Sequence, residues 1–143
     1  MMHVLLDSDV LLNVYLQNVL GHARPQSTES AEVIASAARG RIMAYLTPTA
    51  YSNVYYILRK SFTVSKANSM AFDLLDAVNI IGQDEIIFRN ALESGWADVE
   101  DAGQYFAAKA DPRITHLCTT NHKHYKASKG IAIVSPAALL KLL

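Results

Sequence analysis

The chain is 143 residues long, 51% apolar and 18% charged, which is enough apolar matter for a buried core and too little charge for a disordered chain. Thirteen basic residues balance thirteen acidic ones, which excludes holding nucleic acid by bulk positive charge and leaves only a local site for that role. One cysteine, Cys118, excludes an internal disulfide and suits a reducing compartment, so a cytoplasmic protein is expected.

The N-terminal run MMHVLLDSDVLLNVYL is apolar, but Asp7 and Asp9 interrupt it and no basic leader precedes it, which argues against a signal peptide. No unbroken apolar stretch of about 20 residues follows, so no membrane span is expected. Domains most often run to about 100–150 residues, and no repeat, linker or low-complexity stretch appears, so residues 1–143 are expected to form one domain.

His3 to Leu6 is a short apolar run ended by Asp7, the pattern of a buried parallel strand. From Asp9 the apolar residues Val10, Leu11, Val14 and Tyr15 recur at helical spacing, with Ser8 or Asp9 as the cap. After a break at Gly21 to Pro25, Ser27-Thr28-Glu29-Ser30 opens a second helix, with Ala31, Ile34, Ala35 and Ala38 on its apolar face and Gly40 as its stop. Ile42 to Leu46 is a second strand. Thr47-Pro48 then starts a helix striped by Tyr51, Val54, Tyr55 and Leu58, which ends near Arg59-Lys60, where cations suit the helix dipole.

Thr63 to Ala77 reads as a helix, Val78 to Ile81 as a strand and Gln83 to Ser94 as a helix. Trp96 and Ala97 lead into Asp98-Val99-Glu100-Asp101, acids placed to open a helix that runs to Ala110. Ile114 to Cys118 is a strand, Thr119 to Lys129 a polar loop, Ile131 to Val134 a last strand, and Ser135-Pro136 caps a short closing helix. Strands separated by helices throughout predict a three-layer α/β/α sandwich on a mostly parallel sheet of four to five strands. Ligands of such a fold bind beyond the carboxyl ends of the strands.

Polar residues gather at those ends. Asp7 follows the first strand, Asn53 lies one turn into the helix after the second, and Asn121 follows the strand ending at Cys118. Asp98 and Asp101 are three apart at a helix start, a spacing that puts both on one helix face. Convergence of these segments would make a cluster of hard oxygen ligands suited to Mg²⁺ or Mn²⁺. Each residue also has a plainer role: Asp7 can end a strand, Asp98 and Asp101 can cap a helix, and Asn53 can be an exposed polar position.

Four segments, LLDSDVLLNVYL, TPTAYSNVYYILRK, DVEDAGQYFAA and TTNHKHY, resemble in that order the successive motifs of PIN domains, and together they span nearly the whole chain. The first and third matches are the stronger. The middle one resembles a bacterial subgroup, akin to the VapC toxins, in which Asn-Val-Tyr-Tyr stands where many members carry a glutamate.

The resemblance implies a nuclease that holds one or two divalent metals on three or four acids and cleaves RNA. Carried onto this chain, the catalytic and metal-holding acids are Asp7, Asp101 and the accessory Asp98, with Ser8, Asp9, Asn53 and Asn121 around them. Asn53 and Asn121 replace frequent acids, and His124 replaces a frequent aspartate, so the site loses charge and with it metal affinity. The implied role is the toxin half of a bacterial toxin–antitoxin pair, with an RNA substrate, an antitoxin protein as partner and a homodimer as assembly. The competing reading is a PIN fold that binds RNA or protein and no longer cleaves.

The remaining candidates are local. His122, Lys123, His124, Lys126 and Lys129 form a basic loop beside the implied site; Lys123, His124 and Lys126 are the candidate RNA contacts. His116, His122 and His124 lack the cysteine pair or HExxH pattern of a zinc site. Tyr51, Tyr55 and Tyr56 could stack bases or could pack as core. Cys118, inside an apolar strand, reads as a small hydrophobe.

Overall fold

The computed structural model describes residues 1–20, 24–125 and 129–143. In chain order the elements are β1 (Met2–Leu6), α1 (Ser8–Leu20), α2 (Ser27–Ala38), β2 (Ile42–Leu46), α3 (Pro48–Arg59), α4 (Val64–Ala77) and β3 (Asn79–Ile80). There follow α5 (Glu85–Glu93), α6 (Val99–Ala110), β4 (His116–Cys118), a 3-10 turn (His122–Tyr125), β5 (Ala132–Val134) and α7 (Pro136–Leu140). The strands form one five-stranded, wholly parallel sheet in the order β3-β2-β1-β4-β5.

The period of two in the strands divides the interior. Val4 and Leu6 of β1 with Ile42, Ala44 and Leu46 of β2 face a core completed by Val10, Leu11, Val33, Val54, Leu58, Leu74 and Leu139. Leu5, Tyr45 and Leu117 face the other side, where Ile87 of α5 and Tyr105, Ala107 and Ala108 of α6 cover them. Helices α1 to α4 and α7 thus lie on one face and α5 and α6 on the other, giving the three layers expected. Each fully buried leucine contributes about 1.5–3 kcal/mol by leaving water.

Several expectations shift. Helix α1 begins at Ser8, so Asp7 occupies the cap position in place of Ser8 or Asp9, and the Val10 amide bonds the Asp7 carbonyl at 3.0 Å. The buried face of α2 is Ser27, Ser30, Val33, Ser36 and Ala37, while Ala31 and Ala38 are exposed. Alanine carries too little apolar surface to orient a helix, and serines fit the close packing there. Strand β3 is only Asn79–Ile80, because the Val78 amide still bonds Leu74 at the end of α4. Strand β4 starts at His116, since the Ile114 amide closes a turn onto the Asp111 carbonyl at 3.1 Å. Helix α5 starts at Glu85 with Asp84 as its cap, the Asp84 side chain accepting from the Ile87 amide. Gly40, at φ 72°, ends α2 as expected.

Strand order reverses between β1 and β4: the chain steps outward through β2 and β3 on one side and through β4 and β5 on the other. Crevices open at such switch points, beyond the carboxyl ends of the two central strands. Here those ends are Asp7 and Thr119.

Candidate functional site

Asp7 leaves β1 with its amide bonded to the Cys118 carbonyl of β4 at 2.9 Å, which ties the two switch-point strands together at their ends. Its carboxylate is only 2% exposed. Four protein donors reach it: Gln104 Nε2 at 3.0 Å and Ser8 Oγ at 3.3 Å on Oδ1, Thr119 Oγ1 at 2.8 Å and the Tyr125 hydroxyl at 3.2 Å on Oδ2. A buried carboxylate needs this, because an ionised group without partners would be neutralised by proton uptake.

Asp101 comes to the same place from α6. Asp98 is the cap of that helix: its Oδ1 accepts from the amides of Glu100 at 2.8 Å and Asp101 at 3.1 Å. The cap turns the first helical turn so that Asp101 points inward, 8% exposed, with Oδ1 3.4 Å from the Tyr125 hydroxyl. Tyr125 therefore bridges the two buried acids. It also accepts from Gln104 at 3.2 Å, and burial next to Asp7 and Asp101 pushes its phenol far above the ordinary range.

The electrostatics are those of crowded like charges. Burial first, then Asp7 and Asp98, push Asp101 up from 3.8 to about 6, against the lowering effect of His124. Asp9 is raised by burial and then by Asp7. Glu100 is raised by burial, then by Asp98 and Asp7, although the hydrogen bond from Asn53 Nδ2 at 3.0 Å lowers it. His124 Nδ1 lies 2.9 Å from Asp101 Oδ2. That contact is close but outside hydrogen-bonding direction, so Asp101 Oδ2, like Gln104 Oε1, is buried without a hydrogen-bond donor among the described residues.

Asp101 Oδ2, buried without a hydrogen-bond donor among the described residues on an acid raised by burial and by the charges of Asp7 and Asp98, is of the kind a small hard cation takes. The donors present, carboxylate and amide oxygens, are those Mg²⁺ and Mn²⁺ take. Among the described residues no three His, Cys, Asp or Glu side chains close around one point as a ready-made cluster. Asp7, Asp101 and Glu100 gather at the crevice without converging on a common centre.

The sequence model of the PIN domain matches residues 3–123. The chain belongs to the PIN domain family. PIN domains are generally nucleases that act on nucleic acid and usually use divalent metals. No curated protein matches this chain.

Within this PIN domain the remaining expected residues fall into three groups. Ser8 and Asp9 lie in the site, Ser8 on Asp7 and Asp9 within range of its charge. Asn53 reaches the site through Glu100, and Asn121 through His124, whose Nε2 stands 3.2 Å from Asn121 Nδ2. Lys123 and His124 border a cavity of about 520 Å³ that Asp98, Asp101 and Trp96 also line. Lys126 lies outside the described residues.

Four participants carry no signal of their own in the sequence. Gln104 is three residues after Asp101 and so shares its face, and Thr119 follows β4 as Asp7 follows β1; both could be read from spacing. Glu100 is masked by the two aspartates that flank it. Tyr125 becomes visible only once the 3-10 turn folds it under α6. The tyrosines of α3 are elsewhere: the Tyr51 hydroxyl bonds the Ala71 carbonyl at 3.0 Å, the Tyr55 hydroxyl reaches Asn68 Oδ1, and both line a separate groove with α4. Cys118 is buried, which pushes its thiol up to about 12 and makes it a core atom, not a nucleophile. Among the described residues no helix is long and apolar enough to cross a membrane.

Proposed function

We propose that this PIN domain is an endoribonuclease dependent on Mg²⁺ or Mn²⁺ and serves in the cytoplasm as the toxin of a bacterial toxin–antitoxin pair, as a homodimer restrained by an antitoxin protein. The observation that carries the nuclease reading is the buried Asp101 Oδ2, which has no hydrogen-bond donor among the described residues and belongs to an acid raised by burial and by Asp7 and Asp98 near the sheet's switch point. The toxin role is supported by the Asn53-Val54-Tyr55-Tyr56 stretch of α3, which is similar to that of a bacterial subgroup.

In this reading Asp101 and Asp7 hold the ion and Asp98 assists. When bound, the ion supplies Lewis-acid activation of an attacking water and neutralisation of charge on the scissile phosphate. Gln104, Thr119, Ser8 and Tyr125 keep the Asp7 carboxylate in one orientation. Asn53 fixes Glu100, and Asn121 holds the His124 ring beside Asp101. Lys123, with Lys126 further along the sequence, offers positive charge to the RNA backbone, and His124 offers a polar ring beside it.

Cleavage of a labelled structured RNA by wild type and Asp101→Asn in Mn²⁺, with the melting temperature of each, tests this. Cleavage is expected to fall about a hundredfold or more, and the Mn²⁺-induced rise in melting temperature to shrink. Equal cleavage by both proteins would place the activity elsewhere.

One observation favours a second reading, a PIN fold that binds RNA or protein without cleaving. A carboxylate offers about four lone-pair positions, and protein donors already approach Asp7 four times. Absence of cleavage by wild type under conditions where Mn²⁺ raises its melting temperature would select this reading. Asn53→Glu would then show whether the missing acid is the reason.

A further inference from the structure

Trp96 is the one tryptophan of the chain and stands between α5 and α6, in the segment that precedes the Asp98 cap. Its ring is stacked on Tyr105 with centroids 5.0 Å apart and 29° between planes. Tyr125 meets it edge-on at 5.8 Å and 78°, and Phe106 lies at 6.5 Å. Three aromatics thus hold the indole in one orientation, yet Trp96 is only half-buried and the rest of it lines the cavity beside Asp101. Gly95 keeps the approach in shape: at φ 74° it holds a left-handed turn that a side chain would strain.

The lining of that cavity is divided. Trp96 and Ala97 are apolar, Asp98 and Asp101 are acids belonging to the proposed metal site, Lys123 is cationic and His124 adds a polar ring. A flat ring with a polar edge, attached to a phosphate, matches all three parts. The volume of about 520 Å³ lies in the small-ligand range of about 300–1,000 Å³. A base within a duplex is stacked on its neighbours and cannot offer a face to an indole, whereas an unpaired base can. Because the indole is already immobilised, stacking on it costs little conformational freedom.

We propose that this cavity is a subsite for one unpaired nucleobase, stacked on Trp96, of a nucleotide whose phosphate lies between Lys123, His124 and the acids. The subsite rests on the nuclease reading for the reason a nucleotide would be there, but base recognition itself needs no cleavage.

Because Trp96 is the sole tryptophan, its fluorescence reports on this cavity alone. The wild-type protein in Mg²⁺ is titrated with a nucleoside 5′-monophosphate, which has no phosphodiester to cleave, and with ribose 5-phosphate, which has no base. Saturable quenching by the nucleotide is expected, with ribose 5-phosphate at least about tenfold weaker. Equal binding of the two would reduce the cavity to a phosphate site, and no saturable change with either would remove the subsite; each overturns the proposal. A single-stranded oligoribonucleotide should quench at concentrations at which the same sequence in a duplex does not, and equal quenching overturns it as well. These readouts stand whether or not RNA is cleaved, so failure of the nuclease reading is recognised separately, by the absence of cleavage. Where wild type cleaves, Trp96→Phe, which keeps a ring against Tyr105, should raise KM for the single strand severalfold with kcat held. An unchanged KM would count against the subsite.

Discussion

Leu5 and Asp7 are two residues apart at the end of the same strand and live under opposite rules. Leu5 and its neighbour Leu117 on β4 are fully buried against Tyr105, Ala108 and Ile87, apolar against apolar. Asp7, one pleat further on, is equally buried but faces Asp101, with Asp9, Asp98 and Glu100 near enough to feel its charge or that of one another. The interior of the sheet stores the stability, and its carboxyl edge spends part of it on a cluster of acids that would repel one another in any metal-free protein. A PIN domain tolerates this edge because the two apolar layers behind it hold the backbone of β1 and β4 in place.

If that division holds, the largest loss of stability should come from the interior. Leu117→Ala removes a fully buried side chain next to the site without touching a polar group, and is expected to cost about 3 kcal/mol. Urea melts of wild type and variant measure it. A loss under about 1 kcal/mol would mean that the layer under α6 is loosely packed and is not what supports the edge.

Tyr125→Phe comes next and probes the seam between the two regions. The ring belongs to the apolar layer and its hydroxyl to the acids. Losing the hydroxyl leaves the packing in place but removes the one O–H that the two carboxylates share and an acceptor from Gln104, at an expected cost of about 1–2 kcal/mol without metal. Mn²⁺ should recover part of that loss, because Asp7 Oδ2 then has a free position. A variant as stable as wild type in the absence of metal would show that Tyr125 serves the core only.

Asp98 separates capping from chemistry. As the cap of α6 it accepts two backbone hydrogen bonds, so Asp98→Ala should cost about 1 kcal/mol, while Asp98→Asn keeps the cap and should be nearly neutral in melts. Cleavage by Asp98→Asn then reads its charge alone. Loss of activity with the melt unchanged assigns the charge to the site; retained activity leaves Asp98 as a cap.

The fold was legible because it rests on features that local sequence carries: apolar runs such as Ile42 to Leu46, caps at Thr47, Thr63 and Ser135, and the stop at Gly40. The α2 face was misread because Ala31, Ile34, Ala35 and Ala38 form an apolar stripe at helical spacing, whereas the buried face is Ser27, Ser30, Val33, Ser36 and Ala37, mostly small serines. At the site, Asp7 and Asp101 could be found because each sits where a strand ends or a helix begins. Gln104 shares a helix face with Asp101 and could have been found with it, but Glu100 and Tyr125 are ordinary polar residues until tertiary structure brings them within range of the charge, or within hydrogen-bonding reach, of Asp7, which for Tyr125 spans 118 positions of chain. The cap at Asp98 could be read from its place before a helix, whereas Asn53, one turn inside its own helix, shows no partner in the sequence and grips Glu100, 47 positions away, only in the folded chain.

The smallest expected effect is the most diagnostic of the acid cluster. Asp101 is raised from 3.8 to about 6 by burial, Asp7 and Asp98, with Asp9 adding and His124 opposing. Between those values the folded protein holds a proton that the unfolded chain has released, so metal-free stability should fall as pH rises from about 4 to about 6 and then level off. This is the reverse of a salt-bridged carboxylate, which stabilises as pH rises. With solvent screening and the His124 contact taken into account, the change attributable to Asp101 is on the order of 1 kcal/mol. The check is a set of urea melts at pH 4.5, 5.5 and 6.5 in EDTA for wild type and Asp101→Asn. The variant cannot titrate at this position, so its curve should lie flatter by that amount and at or above wild type at pH 6.5, since removing one of several crowded charges relieves repulsion. Mn²⁺ should compress the same difference, because an ion at the acids favours their ionised form and pulls the Asp101 proton off at lower pH. Parallel curves for the two proteins in EDTA would show that Asp101 ionises like an exposed acid, and the crowding of acids at the carboxyl edge would then not be what draws a cation there.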